Sequence, residues 1–418
     1  MRTRALMLLA VTLLAGTAGT AAAADGSAPA AAPVPGDWPC FRGPTHDDRS
    51  AETGLLRSWP AEGPPKLWQF AGLGKGFSTV SVAGGTIYTT GDVDGRMTLF
   101  AIARDGALKW KVPVDRAWDQ NYAGARSTPT VDGDRLYVVS GHGLIGCYDA
   151  ADGAKRWTRS MQELGGRTPN WGYAESVLVE GDLAVVTPGG AGCVAALDKR
   201  TGKTVWQSAG FDGPAHYGSC TPFTSAGGVR LIAAGTGGGL VCVDARTGAK
   251  AFADPFSAGS TANIPSPVVA DGHLVWATGY GKGAVCLRLT AGGAEPAWTS
   301  KDLVCHHGGY VVHDGHVYGN HERGVACLDL KTGRRAWFDK GVGKCSVAYA
   351  DGMLYLFGEA DGTVALAAAS PDGFKPAGRF TVAGTGPSWA HPVVAGGRLY
   401  LRYGDNLYCF DVTAPAAR

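Results

Sequence analysis

The chain has 418 residues and carries 38 Lys and Arg against 36 Asp and Glu, a formal net charge of +2 with no basic run. That balance lacks the electrostatic footprint of a nucleic-acid binder. Glycine supplies 64 of the 418 residues, too many for a helical enzyme and natural for about thirty tight turns between strands.

The first element in chain order is an address. Arg2 and Arg4 precede the apolar stretch Ala5 to Ala15, and small residues follow to Ala24. A signal peptide over residues 1–24, cut near Ala23 or Ala24, is expected. The stretch falls short of the roughly 20 apolar residues of a transmembrane helix, and no Cys stands near the cleavage point to carry a lipid. Residues 25–36, rich in Ala and Pro, read as a disordered tether. A soluble protein, periplasmic or secreted, is therefore expected, without a transmembrane segment and monomeric.

A recurring phrase dominates the rest: GCYDAADGAKRW (146–157), AALDKRTGKTVW (195–206), VCVDARTGAKAF (241–252) and ACLDLKTGRRAW (326–337). Each closes a unit of roughly 40 to 50 residues that holds two apolar runs around a Gly turn, such as STPTVDGDRLYVVS. A series of small antiparallel sheets of this kind makes a β-propeller. The unit-opening turn glycines are Gly85, Gly133, Gly181, Gly228, Gly272, Gly315, Gly352 and Gly397, and the closing aromatics are Trp110, Trp157, Trp206, Phe252, Trp298, Trp337 and Phe380. The eighth unit stops at LYCFDV without a closing strand, while PPKLWQF, with Trp68, is a spare strand ahead of the first unit. An all-β, eight-bladed propeller of four-stranded antiparallel blades follows, closed by the N-terminal strand; seven blades with one miscounted unit is the alternative. The expected boundaries are 37–76 for a strap and the closing strand, 77–412 for the ring and 413–418 for a tail.

Ten cysteines in an exported chain ordinarily imply disulfides. Cys147, Cys242, Cys286, Cys327 and Cys409 occupy one repeat position in different blades, too far apart around a ring to pair. They are expected to pack as small apolar thiols against indoles. One bridge among Cys40, Cys193, Cys220, Cys305 and Cys345 stays open. Within the phrase, the Asp and Thr-Gly form a tight turn whose carboxylate satisfies local N–H groups. The tryptophans Trp68, Trp110, Trp157, Trp206, Trp298 and Trp337 are expected to dock on the neighbouring blade against a small residue, Ala196 or Cys.

This AxDxxTGKxxW phrase resembles the tryptophan-docking motif of quinoprotein dehydrogenases and of the wider PQQ-binding-like β-propeller repeat proteins. That group includes the periplasmic propeller lipoprotein of the outer-membrane β-barrel assembly machine. The opening DWPCFRGP also resembles a leader of exported PQQ-like proteins, read here as a strap burying Trp38, Phe41 and Trp59. The resemblance implies the fold; for chemistry it implies pyrroloquinoline quinone (PQQ) held between a tryptophan and a disulfide of adjacent cysteines, with Ca²⁺ on Glu, Asn and Asp. No Cys-Cys dipeptide occurs here, so the resemblance stops short of that active site, although Glu175, Asn263 and Trp389 are the right residue types.

In a propeller, one face carries the A–B and C–D turns, here repetitive Asp-Gly and Thr-Gly. The other carries the D–A and B–C connections, here varied and aromatic. Candidate ligand-binding residues on that variable face are Arg126, Asn170, Trp171, Tyr173, Glu175, His216, Tyr217, Asn263, His306, His307 and Trp389. His313 and His316 flank a turn on the opposite face from His306, His307 and His321, so hydrogen-bonded loop histidines are preferred to a metal site. The favoured reading is a binding or scaffold module for a cell-envelope protein, a glycan or a small molecule. The alternative is a PQQ-dependent oxidoreductase using PQQ with Ca²⁺.

Overall fold

The computed structural model describes residues 36–259 and 261–415. The expected signal peptide, nearly all of the expected tether and the last three residues lie outside them. Eight antiparallel sheets follow one another around a ring, and among the described residues a 3₁₀ turn at Met161–Leu164 is the only helical element. Blade 1 is built from Ser81–Ala83, Thr86–Val93, Arg96–Ala103 and Leu108–Arg116, and the next six repeat that A–B–C–D order. Blade 8 draws Val393–Ala395, Arg398–Tyr403 and Asn406–Asp411 from the C-terminal end and takes its outer strand, Lys66–Phe70, from the N-terminal end. The N-terminal strand thus closes the ring.

Local chemistry explains the repeat. At Asp271-Gly272, Asp314-Gly315 and Asp351-Gly352 both residues have positive φ, the twist a two-residue hairpin turn demands. In the C–D turns the Asp198 carboxylate accepts from the N–H groups of Arg200 and Thr201 and from the Thr201 hydroxyl at 2.8–3.0 Å; Asp244 does the same, and Asp329 accepts from the N–H and hydroxyl of Thr332. Each C–D pairing then carries a bulge that skips one residue. Such a bulge re-aims the side chain that follows. The residues re-aimed are Trp68, Trp110, Trp157, Trp206, Phe252, Trp298 and Trp337.

Their docking partner differs from the expectation. The small residue, Ala101, Ala196 or a Cys, faces each indole across the strands of its own blade. On the neighbouring blade the indole lies over the turn glycine, where an added Cβ would come within 2.4–2.9 Å of the ring: Gly106 under Trp68, Gly153 under Trp110, Gly202 under Trp157, Gly248 under Trp206 and Gly333 under Trp298. The indole N–H of Trp68, Trp157, Trp206, Trp298 and Trp337 donates to a carbonyl of that blade at 2.8–3.2 Å. Blade 7 departs from the pattern. Its docking position holds Gly378, opposite Leu366, and Trp59 of the N-terminal segment fills the gap with its Cβ against Gly378 and its ring 5.4 Å from Phe380.

The core is divided into eight apolar clusters, each shared by two neighbouring blades. All ten cysteines are free and buried within it, so no bridge forms among the five that were left open.

A second set of contacts ties the inner strands. The amide of Thr79 donates to the Thr128 hydroxyl, that of Thr128 to Ser176, that of Ser176 to Ser219 and that of Ser219 to Ser266, at 2.9–3.1 Å. The same register position in blade 6 is Gly309 and in blade 8 His391. There the N-terminal segment takes over. Trp38 bridges Val82, Pro39 O accepts from Val131 N–H, Arg42 donates to Ser266 O and Tyr310 O, and Arg49–Ser50 pairs parallel to Tyr349–Ala350. Asp37 and Glu52 accept from the A–B turn amides of Gly84, Gly396 and Gly397. The strap is therefore inserted into the channel from the A–B turn face.

Trp206 is 8% exposed and bonded to Ala245 O across a blade seam. Trp206→Ala is expected to cost on the order of 3–5 kcal/mol through lost burial and a cavity, read as a fall in the denaturation midpoint. An unchanged midpoint would contradict the docking role.

Candidate functional site

On the variable face the D–A connections converge on an axial cavity of about 530 Å³. Phe77, Tyr122, Arg126, Trp171, Tyr217, His306, His307, Lys344 and Trp389 come from these connections, Tyr280 and Glu359 from B–C loops, and Phe41 and Arg42 from the strap. Of the residues singled out in the sequence, Arg126, Trp171, Tyr217, His306, His307 and Trp389 are brought together here.

The aromatic wall falls into two groups. His307 stacks on Trp389 at 3.9 Å and 17°, Phe77 and Tyr122 lie 4.5 and 5.1 Å from the same indole, and Trp171 meets Tyr217 edge-on at 5.7 Å. Arg126 donates to the carbonyls of Asn121, Tyr122 and Gly124 and lies over the Phe77 and Trp118 rings. Burial brings its guanidinium down to about 10, so it stays charged at neutral pH.

The polar wall is an ion pair with two histidines. Lys344 Nζ lies 3.0 Å from Glu359 Oε2 and also reaches His306 Nδ1; His307 Nδ1 is 3.7 Å from Glu359. Burial, then His307 and Lys344, bring His306 down to about 3; burial, only partly offset by Glu359, brings His307 to about 4. Both imidazoles are neutral at physiological pH. Burial works against the Glu359 carboxylate, but His307 and Lys344 outweigh it and bring it to about 2.

Under the floor lies a buried charge cluster. Asp48 Oδ2 accepts from Arg42 Nε at 2.6 Å and lies 3.0 Å from His391 Nδ1, while His391 Nε2 is 3.1 Å from His307 O. Burial raises the Asp48 carboxyl, yet His391 and Arg42 hold it below its ordinary range.

Five other candidates lie outside the cavity lining. Asn170 is exposed in its loop. Tyr173 is buried and donates to Pro188 O at 3.1 Å. His216 Nδ1 accepts from Asn263 N–H at 2.9 Å, and Asn263 donates to Thr236 O and Ser257 and accepts from Ala258 N–H. Burial brings His216 down to about 4, and the pair ties two neighbouring connections together. Glu175 is 1% exposed; Oε1 accepts from Thr187 N–H at 2.8 Å and Oε2 has no partner among the described residues. Polar character and loop position drew attention to these side chains, but Tyr173, His216, Asn263 and one oxygen of Glu175 are spent on backbone that would otherwise be buried unbonded.

The sequence reading passed over Tyr280, Lys344 and Glu359 and took Phe41 as strap packing alone. Tyr280 stands between Gly279 and Gly281, and Lys344 and Glu359 occupy glycine-rich connections without aromatics, so nothing local sets them apart. Arg42 stood within the flagged FRGP, where its burial was the missing fact.

Residues 94–338, more than half the chain, match the family model described as outer membrane protein assembly factor BamB. The chain belongs to that family. Its fold is similar to BamB from Moraxella catarrhalis, at 18% identity and a TM-score of 0.62 over 82% of this chain and 96% of that one. It is also similar to quinohemoprotein alcohol dehydrogenase from Comamonas testosteroni, at 14% identity and 0.66 over 92% and 81%. The computationally designed Ika8 protein shares it at 10% identity and 0.57 over 83% and 100%. At such identities the likeness is one of fold. No curated protein sequence matches the chain.

Burial in an apolar seam raises the Glu175 carboxyl to about 7, the Thr187 hydrogen bonds only partly opposing it. Between the ordinary carboxyl pKa and that value the folded chain binds more protons than the unfolded one, so stability falls as pH rises from about 4.5 to about 7, by a few kcal/mol at most. Glu175→Gln is expected to flatten that slope in denaturant titrations across this range. A slope identical to the parent's would show that Glu175 is ionised when folded.

Proposed function

We propose that the chain is an exported binding module of the cell envelope, periplasmic or secreted and monomeric, that captures its ligand in the axial cavity of the variable face. The carrying observation is the cavity itself: about 530 Å³, floored by the strap, walled by aromatics and furnished with a few fixed charges. Those dimensions and that lining suit a small molecule or the end group of a glycan or peptide. The Arg-led apolar leader supports export, and the family's description supports an envelope setting. Among the described residues no helix is long and apolar enough to cross a membrane.

Quinone chemistry was tested against the residues. Ca²⁺ takes six to eight oxygen ligands, and both oxygens of the cavity's Glu359 are committed to Lys344. Glu175 and Asn263 lie buried elsewhere, and among the described residues no group of three or more His, Cys, Asp or Glu is placed to hold a metal. A planar quinone on Trp389 would have to displace the stacked His307 or the nearby Phe77. The residues present do not fit PQQ with Ca²⁺.

Tryptophan fluorescence of the mature chain, titrated with a panel of short glycans, peptides and small acids, tests the reading. A saturable change that disappears in Trp171→Ala and Tyr217→Ala, with circular dichroism preserved, is expected. PQQ with Ca²⁺ is expected to produce neither saturable quenching nor dye-linked alcohol oxidation. Micromolar, Ca²⁺-dependent PQQ binding with turnover would overturn the proposal.

A further inference from the structure

Tyr280, at the rim of the cavity, is held in a way that packing alone does not require. It has φ +57° and is 47% exposed, and a bulky residue in the left-handed region persists only where its surroundings impose it. Gly281 N–H donates to Glu322 Oε1 at 3.1 Å and Lys301 Nζ donates to Gly281 O, clamping the loop from outside. On the inside, His306 lies against Gly279, where an added Cβ would come within 3.0 Å of the imidazole. The Tyr280 hydroxyl then meets His306 Nε2 at 2.9 Å with the rings at 84°.

The neighbours decide where the protons sit. His306 Nδ1 faces the Lys344 ammonium, which has only donors, so Nδ1 is the acceptor and the neutral ring carries its proton on Nε2. That N–H donates to the Tyr280 oxygen. The hydroxyl proton is therefore left to point at something else. Glu359, 3.0 Å from Lys344, anchors the far end of the chain.

The cavity's charges complete the argument. Arg126 and Lys344 stand against Glu359, Arg42 is balanced by Asp48, and the buried Trp389 indole N–H has no partner among the described residues. Arg126, Lys344 and the Tyr280 hydroxyl line the same cavity as the Trp171 and Tyr217 rings. We infer that Tyr280, oriented by the Glu359–Lys344–His306 chain, is a built hydrogen-bond donor for a carboxylate carried on a ring-shaped ligand. A uronic-acid unit of a glycan and an aromatic acid share that chemistry. The inference rests on the cavity being the binding site and adds the class of ligand.

Calorimetric titration of the mature chain with two matched pairs tests it: an oligogalacturonate against its methyl ester, and naphthoate against naphthamide. The acid of one pair is expected to bind about tenfold or more tightly than its uncharged partner, the range of one charged hydrogen bond. Which pair shows the effect identifies the source of the carboxylate. Tyr280→Phe and His306→Gln should each bring the acid's affinity to within about twofold of its uncharged partner's in the same variant. Equal affinity within both pairs, or a preference untouched by Tyr280→Phe, would overturn the donor role. In that case the cavity reading survives if Trp171→Ala still abolishes binding. Failure of all four probes would overturn the ligand class, and the cavity reading falls with it only if the wider panel also fails.

Discussion

The buried ion pair between Arg42 and Asp48 is the constraint on which the rest of the molecule depends. Around five blades the inner strands are tied by amides donating to hydroxyls, from Thr79 to Ser266. At Gly309 that series has no side chain to continue it, and an added Cβ would come within 2.8 Å of His391. Arg42 fills the interruption by bonding Ser266 O and Tyr310 O, and Asp48 binds both Arg42 and His391. One insertion thus completes the ring of contacts, floors the cavity and sets His307, whose carbonyl meets His391. A buried charge pair of this type is costly to break rather than intrinsically stabilising. Its value here is that it fixes where the strap sits.

The ring itself was readable because its physics is local and repeated. A hairpin glycine, an Asp that caps its own turn and an indole at constant spacing recur in nearly every unit, so each weak signal is confirmed by its copies. Closure by the strand around Trp68 followed from counting strands. The exceptions were invisible for an equally physical reason. Blade 7 carries Gly378 where an aromatic belongs, and its indole arrives as Trp59 from a distant part of the chain. The glycines under the indoles were visible only as turn formers, because which blade an indole reaches depends on how the ring packs.

The site was half readable. Residue type and connection were enough to bring Arg126, Trp171, Tyr217, His306, His307 and Trp389 into view, since aromatic and basic side chains in variable connections have few roles besides lining the axis. They could not separate these from Tyr173, Glu175, His216 and Asn263, whose polar atoms satisfy buried backbone or one another. Nor could they find Lys344 and Glu359, which face each other across the first two strands of blade 7 and become an ion pair only once that pairing register is set. Resemblance to quinoproteins reached the scaffold and not the chemistry, consistent with fold and activity being separable.

The central claim is that the Arg42–Asp48 peg locks the strap into the channel, and equilibrium unfolding of Asp48→Asn measures it most directly. The account predicts a loss of roughly 3–5 kcal/mol, the cost of leaving a buried guanidinium without its carboxylate. Arg57→Gln, which removes an exposed partner of Asp351, serves as the control and should change stability by less than about 1 kcal/mol. If Asp48→Asn unfolds at the parent's midpoint, the strap merely drapes over the ring and the floor of the cavity is not fixed by it.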